Sequence, residues 1–135
     1  MQQLKTIWVV DDDPIFTFLT ETQLNQLYNH LHIRSFANGD QAFKALKGAI
    51  DGNEEMPDLI LLDINMPVMD GWEFVDEYKE LMGKLKDNTF IFMVSSTIDI
   101  NEIEMAKNHE DIKGFMSKPL VMEELIKMIE QGKPD

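Results

Sequence analysis

Cysteine is missing altogether from the 135 residues, so disulfides and thiolate chemistry are excluded. Basic residues are scarce: 12 Lys and Arg against 25 Asp and Glu leave a formal net charge of −13. A chain this acidic is repelled by a phosphate backbone, which argues against direct nucleic-acid binding. No apolar run approaches the ~20 residues of a bilayer span. The N-terminus lacks the basic stretch and long apolar core of a signal peptide. A cytoplasmic protein without a membrane partner is therefore expected. Internal repeats, low-complexity segments and linkers are also missing. The expectation is one domain over residues 1–135, with a core from about residue 5 to 131 and no output domain.

What is there is an alternation of apolar runs and helical stretches. Ile7-Trp8-Val9-Val10, His32 to Phe36, Leu59 to Leu62, Thr89 to Val94 and Gly114-Phe115-Met116 read as five short strands. Between and after them come five helical stretches. Residues 14–29 carry a stripe of Phe16, Leu19, Leu24 and Leu27, with Asp13 as N-cap and Pro14 at the first helical position. A second helix follows Asn38-Gly39-Asp40. A third, about Trp72 to Met82, shows Phe74, Val75, Tyr78 and Met82 on one side. A fourth spans Asn101 to about His109, and a fifth spans about Val121 to Gln131. Residues 48–57, rich in turn formers and acids, read as a loop. The ten methionines read mainly as fillers of irregular core gaps. His30, His32 and His109 receive no role.

Five β–α units in succession imply an α/β fold, (βα)5, with a doubly wound parallel five-stranded sheet, because right-handed crossovers place helices on both faces. The flavodoxin-like order 2-1-3-4-5 is one common form, with a switch point between the first and third strands. In such a sheet all strand C-termini share one edge, and here each of four brings polar groups. The first strand ends on Asp11-Asp12-Asp13, the third on Asp63, the fourth on Ser95-Ser96-Thr97, and the fifth runs into Lys118-Pro119. Taken singly, Asp13 is a cap, Ser95 and Ser96 could cap a helix, and Lys118 could be a surface lysine. Their coincidence on one edge points to a common chemistry.

Acids from the first and third strands in one crevice repel each other. Two unit charges about 4 Å apart cost roughly 4 kcal/mol at an effective dielectric of about 20. One lysine does not neutralise three acids, so some stay protonated or a hard divalent cation binds. Oxygen ligands of this kind suit Mg²⁺. A cation, an ammonium and a hydroxyl around one carboxylate would stabilise a phosphoryl group being attached to it.

These residues together resemble the receiver domain of bacterial two-component response regulators, of the stand-alone, chemotaxis-regulator-like kind. Val9-Val10-Asp11-Asp12 resembles the acidic pair, and Asp63 with Asn65-Met66-Pro67 and Asp70-Gly71 the phosphorylation-site segment. Ser95 followed by Ser96 resembles the hydroxyl position, and Lys118-Pro119 the lysine with its usually cis proline. The resemblance implies that Asp63 accepts a phosphoryl group from a phosphohistidine of a sensor histidine kinase or histidine phosphotransfer protein. It implies Mg²⁺ held by Asp12, Asp63 and the backbone carbonyl of Asn65, with Asp11 acting partly through water. Lys118 would pair with the phosphoryl oxygens and Ser95 would hydrogen-bond to them. Phe115 stands at the aromatic switch position, whose turn reshapes the face of the fourth helix, fifth strand and fifth helix for a downstream effector protein. The chain departs from the usual pattern in three places. Its 48–57 loop is longer and acidic, Phe115 lacks the hydroxyl of the tyrosine often found there, and Ser95 replaces threonine.

The alternative is an enzyme, a haloacid-dehalogenase-type Mg²⁺ phosphatase working through an aspartyl phosphate. It needs Asp-x-Asp after the first strand, which Asp11-x-Asp13 meets formally, but Pro14 follows and no cap domain fits. A flavin binder would need a glycine- and hydroxyl-rich phosphate loop where Asp11-Asp12-Asp13-Pro14 stands. The leading expectation is thus a phosphoacceptor regulator that catalyses only its own phosphorylation and dephosphorylation.

Overall fold

Alternation of side chains along four of the five strands divides the core into two layers. In the computed structural model, which describes residues 4–52, 55–82, 89–97 and 99–132, ten elements alternate strictly between strand and helix. They are β1 (Thr6–Val10), α1 (Pro14–Leu27), β2 (His32–Phe36), α2 (Gly39–Ile50), β3 (Leu59–Asp63), α3 (Gly71–Met82), β4 (Phe90–Ser95), α4 (Ile100–Lys107), β5 (Ile112–Ser117) and α5 (Met122–Gly132). The strands are all parallel and lie in the order β2-β1-β3-β4-β5. This is the flavodoxin-like arrangement expected from the sequence.

Successive residues of a strand point to opposite faces. Trp8, Val10, Ile60, Leu62, Ile91 and Met93 therefore pack on one face, against Ala42 and Leu46 of α2 and Phe74, Val75 and Tyr78 of α3. Ile7, Val9, Leu59, Leu61, Phe92 and Val94 pack on the other, against Phe16 and Leu24 of α1 and Leu125, Met128 and Ile129 of α5. Each such side chain, fully buried, contributes about 1.5–3 kcal/mol before conformational entropy is set against it. β1 and β3 are buried along their whole length, as their unbroken apolar runs require.

The helix starts follow local chemistry. Asp13 caps α1 by accepting from Ile15 N (2.9 Å) and Phe16 N (3.4 Å), with Pro14 at the first turn. Asp70 and Glu73 cap α3 reciprocally: Asp70 Oδ1 accepts from Glu73 N at 2.8 Å, and Glu73 Oε1 accepts from Asp70 N at 3.4 Å.

Two sequence readings need correction. The inward stripe of α1 is Phe16, Thr20 and Leu24, spaced i, i+4, i+8, while Leu19 is 53% exposed beside Ile15 and Phe18. Hydrophobicity alone placed Leu19 inside; the helical period placed Thr20 there instead. The 48–57 loop is also shorter than expected, because α2 continues to Ile50 and only the segment from Asp51 to Asp58 connects it to β3. Asn53 and Glu54 of that loop, and the side chain of Met82 in the α3 stripe, lie outside the described residues.

Candidate functional site

Register determines which strand ends meet. Val10 pairs with Leu62, so the residues that follow each, Asp11 and Asp63, emerge side by side at the switch point. Asp63 is itself paired with Val94, and Ser95 with Ser117, which brings the other polar ends to the same edge. Asp11 and Asp63 are each 4% exposed, whereas Asp12 is exposed. Lys118 reaches back from the end of β5 so that its Nζ lies 2.7 Å from Asp11 Oδ2 and 3.7 Å from Asp63 Oδ2. The Lys118–Pro119 peptide bond is cis.

Burial dominates the electrostatics. It pushes the Asp63 carboxyl up to about 7, helped by the neighbouring Asp11 charge and, less, by Asp12. The Lys118 ammonium and the Asn65 N–H, 3.4 Å from Asp63 Oδ1, oppose this only in part. Burial also raises Asp11, against a hydrogen bond from Lys118 and one from Asp13 N at 2.8 Å. One ammonium thus faces more carboxylate than it can neutralise, as the composition of the strand ends foretold.

That excess suits a cation. Ligand oxygens of Asp11, Asp12 and Asp63 all lie within 4.8 Å of one another. An all-oxygen set with a solvent-facing member matches Mg²⁺, which takes one or two carboxylates and keeps several waters. The site is therefore able to hold a hard divalent ion, and doing so would relieve the carboxylate repulsion that adds to burial in raising Asp63.

Ser95 is fully buried, and its hydroxyl is engaged within its own loop: Oγ accepts from Thr97 N at 3.2 Å and lies 3.3 Å from Thr97 Oγ1. Asn65 has an exposed side chain and contributes its backbone to the acid loop. Phe115 is half-buried, resting against the α2–α3–α4 side of the core.

Three features of the site escaped the sequence reading. Lys118 Nζ sits over the Phe16 ring, 4.5 Å from its centroid, so the first turn of α1 forms one wall of the ammonium's pocket. Gly71, part of the segment that resembles the phosphorylation site, has a packing role that the resemblance does not state. A Cβ there would come within 2.6 Å of the Asp63 carbonyl and 2.9 Å of Ile64 Cα, so α3 backs directly onto the acid loop. Gly39 likewise lets α2 approach the Met69 carbonyl, which a Cβ would meet at 2.8 Å. The Lys118–Phe16 and Gly39–Met69 contacts join segments distant in sequence, and the Gly71 contact is made within one loop, where the glycine alone marks it.

A family model described as the response regulator receiver domain matches residues 7–130. The nitrate/nitrite response regulator protein NarL of Escherichia coli is 29% identical over 131 residues, covering 97% of this chain but 56% of NarL, so the chain spans little more than half of that relative. A two-component response regulator from Cytophaga hutchinsonii superimposes with a TM-score of 0.88 at 26% identity, covering 97% of this chain and 98% of that one. A response regulator receiver protein from Dyadobacter fermentans gives 0.80 at 28% identity, covering 97% and 99% respectively.

Proposed function

The chain belongs to the response regulator receiver domain family, and on that premise we propose that Asp63 accepts a phosphoryl group from a phosphohistidine of a sensor kinase or phosphotransfer protein. The observation that carries this reading is the buried Asp63 carboxylate at the meeting point of Lys118, Asp11 and Asp12. A carboxylate oxygen of Asp63 attacks phosphorus in line with the phosphorus–nitrogen bond of the donor. The new P–O bond forms as the P–N bond breaks, and the imidazole leaves with the electron pair and takes up a proton from water. Lys118 moves little to meet the incoming oxygens, because it already lies between Asp11 and Asp63. Asp11, Asp12, Asp63 and the Asn65 carbonyl would hold Mg²⁺, which when bound supplies positive charge for the phosphoryl oxygens.

Phosphorylation adds negative charge and acceptor oxygens where Ser95 can reach them. Its hydroxyl leaves Thr97 for the phosphoryl group and draws the β4–α4 loop inward. Phe115 turns toward the vacated space, and the α4–β5–α5 face changes for a downstream effector or for relay to another histidine. The whole of residues 1–135 acts as one receiver domain, working in the cytoplasm and through protein partners.

The test is intact mass after incubation with a small-molecule phosphodonor and Mg²⁺. One phosphoryl group is expected, labile to base and absent from Asp63→Asn. Steady turnover of phosphate esters with unchanged protein mass would instead favour the phosphatase reading.

A further inference from the structure

The Lys118 ammonium has three partners among the described residues, and only two of them are oxygens. Nζ lies 2.7 Å from Asp11 Oδ2 and 3.7 Å from Asp63 Oδ2, and it sits over the Phe16 ring, 4.5 Å from the centroid. The Lys118 side chain is 14% exposed and Phe16 is buried, so the ring stands where water would otherwise hydrate the charge. One turn of chain fixes both Asp11 and the ring. Asp13 caps α1 at Ile15 N and Phe16 N, and its own N–H donates to Asp11 Oδ1 at 2.8 Å. Phe16 also belongs to the same buried cluster as Leu120, two residues beyond Lys118. The ring is part of the core, not a mobile surface group.

We propose that Phe16 is a positioning residue for phosphoryl transfer to Asp63. Its ring holds the Lys118 ammonium at the crevice without occupying an N–H that a phosphoryl oxygen needs. An ammonium carries three donors and no acceptor. A further carboxylate or a hydroxyl in place of the ring would compete with the incoming oxygens for one of those donors. An aliphatic side chain would fill the space without attracting the charge. An aromatic face draws a cation electrostatically, and more strongly where water is excluded. The positive charge is then in place before the donor arrives, and little reorganisation is left for the reaction itself. This inference rests on the function proposed above, and Phe16 acts in it only through Lys118.

The experiment places phenylalanine with one, two or three ring fluorines at position 16 of the full chain. Each fluorine weakens the attraction of the ring face for a cation while nearly keeping its shape and apolar character. Phosphoryl addition to Asp63 is followed by intact mass with Mg²⁺ and phosphoramidate, whose P–N bond breaks as ammonia leaves. The maximal rate should fall stepwise with fluorine number, to about a tenth with three. The donor concentration giving half that rate should change by less than about twofold. Melting temperatures should stay near that of the parent. Phe16→Leu, apolar but without a π face, should be as slow as the trifluorinated ring. In Lys118→Gln, read over long incubations, the fluorine series should be flat, because the ring then has no charge to hold. Rates indifferent to fluorine number, or falling alike in Lys118→Gln, would assign Phe16 to packing alone and overturn the proposal. So would a loss confined to donor affinity. If the parent gains no phosphoryl mass, the function proposed above fails and takes this inference with it. If it gains mass at a rate the ring does not govern, that function stands and only the role of Phe16 is lost.

Discussion

Asp63 is a buried acid held at odds with its surroundings, and two expectations follow at the scale of the single residue. Its carboxyl is raised to about 7, mainly by burial, while in the unfolded chain it titrates near 3.9. Between those values the folded protein binds the extra proton. The contribution of this group to stability is therefore full below about pH 4 and is lost as pH rises through about 7. Asp63→Asn removes the charge and keeps the shape. Without divalent cations it should match the parent near pH 4 and exceed it by about 2 kcal/mol at pH 8, as chemical denaturation at several pH values will show. A variant less stable than the parent at pH 8 would contradict the electrostatic account. The second residue is Gly71, which has no room for a side chain beside the Asp63 carbonyl. Gly71→Ala should cost about 1–3 kcal/mol and slow phosphorylation of Asp63, measured by melting temperature and by the mass assay. An alanine variant with parental rates and stability would mean that the loop yields freely.

At the scale of the element, α1 separates hydrophobicity from position. Leu24 is fully buried against the sheet and Leu19 lies half outside it, although both are leucines of one helix. Leu24→Ala should destabilise by about 2–5 kcal/mol, and Leu19→Ala by about 0.5 kcal/mol or less. Urea midpoints distinguish them, and equal losses would restore the stripe first read from the sequence. The existence of all ten elements was legible from apolar runs and turn residues, because short buried strands and capped helices leave local signatures. Their ends were not. β5, read as Gly114–Met116, extends from Ile112 to Ser117 because ladder hydrogen bonds with β4 recruit residues that have little strand character alone. Asn101–His109 was expected for α4, which instead ends at Lys107, and α2 takes up residues first assigned to a loop.

For the whole molecule the consequence is linkage between ion binding and folding. Three carboxylates gathered from β1 and β3 exist as a site only in the folded sheet, so Mg²⁺ should stabilise the native state. At a hundredfold excess over its dissociation constant the gain is about 2.7 kcal/mol. It should be larger at pH 7.5 than at pH 5, where Asp63 is protonated, and removed by chelation. Thermal melts with Mg²⁺ and with EDTA at both pH values test this, and a shift independent of pH would argue that the ion binds elsewhere.

The sequence by itself determined the fold class and the polar residues at each strand end, because these depend on local period and composition. The strand order was expected as one common form of such a sheet and is set by the structure. Asp11, Asp12, Asp63, Ser95 and Lys118 could all be named from their places after apolar runs. Only the tertiary structure decided how they meet. Parallel register sets Asp11 beside Asp63, Lys118 swings between them and over Phe16, and Ser95 turns to Thr97. The physical reason is that burial and through-space charge are properties of the packed sheet. A strand end in the sequence carries an acid; the fold removes the water around it and thereby makes Asp63 a group that titrates near neutrality.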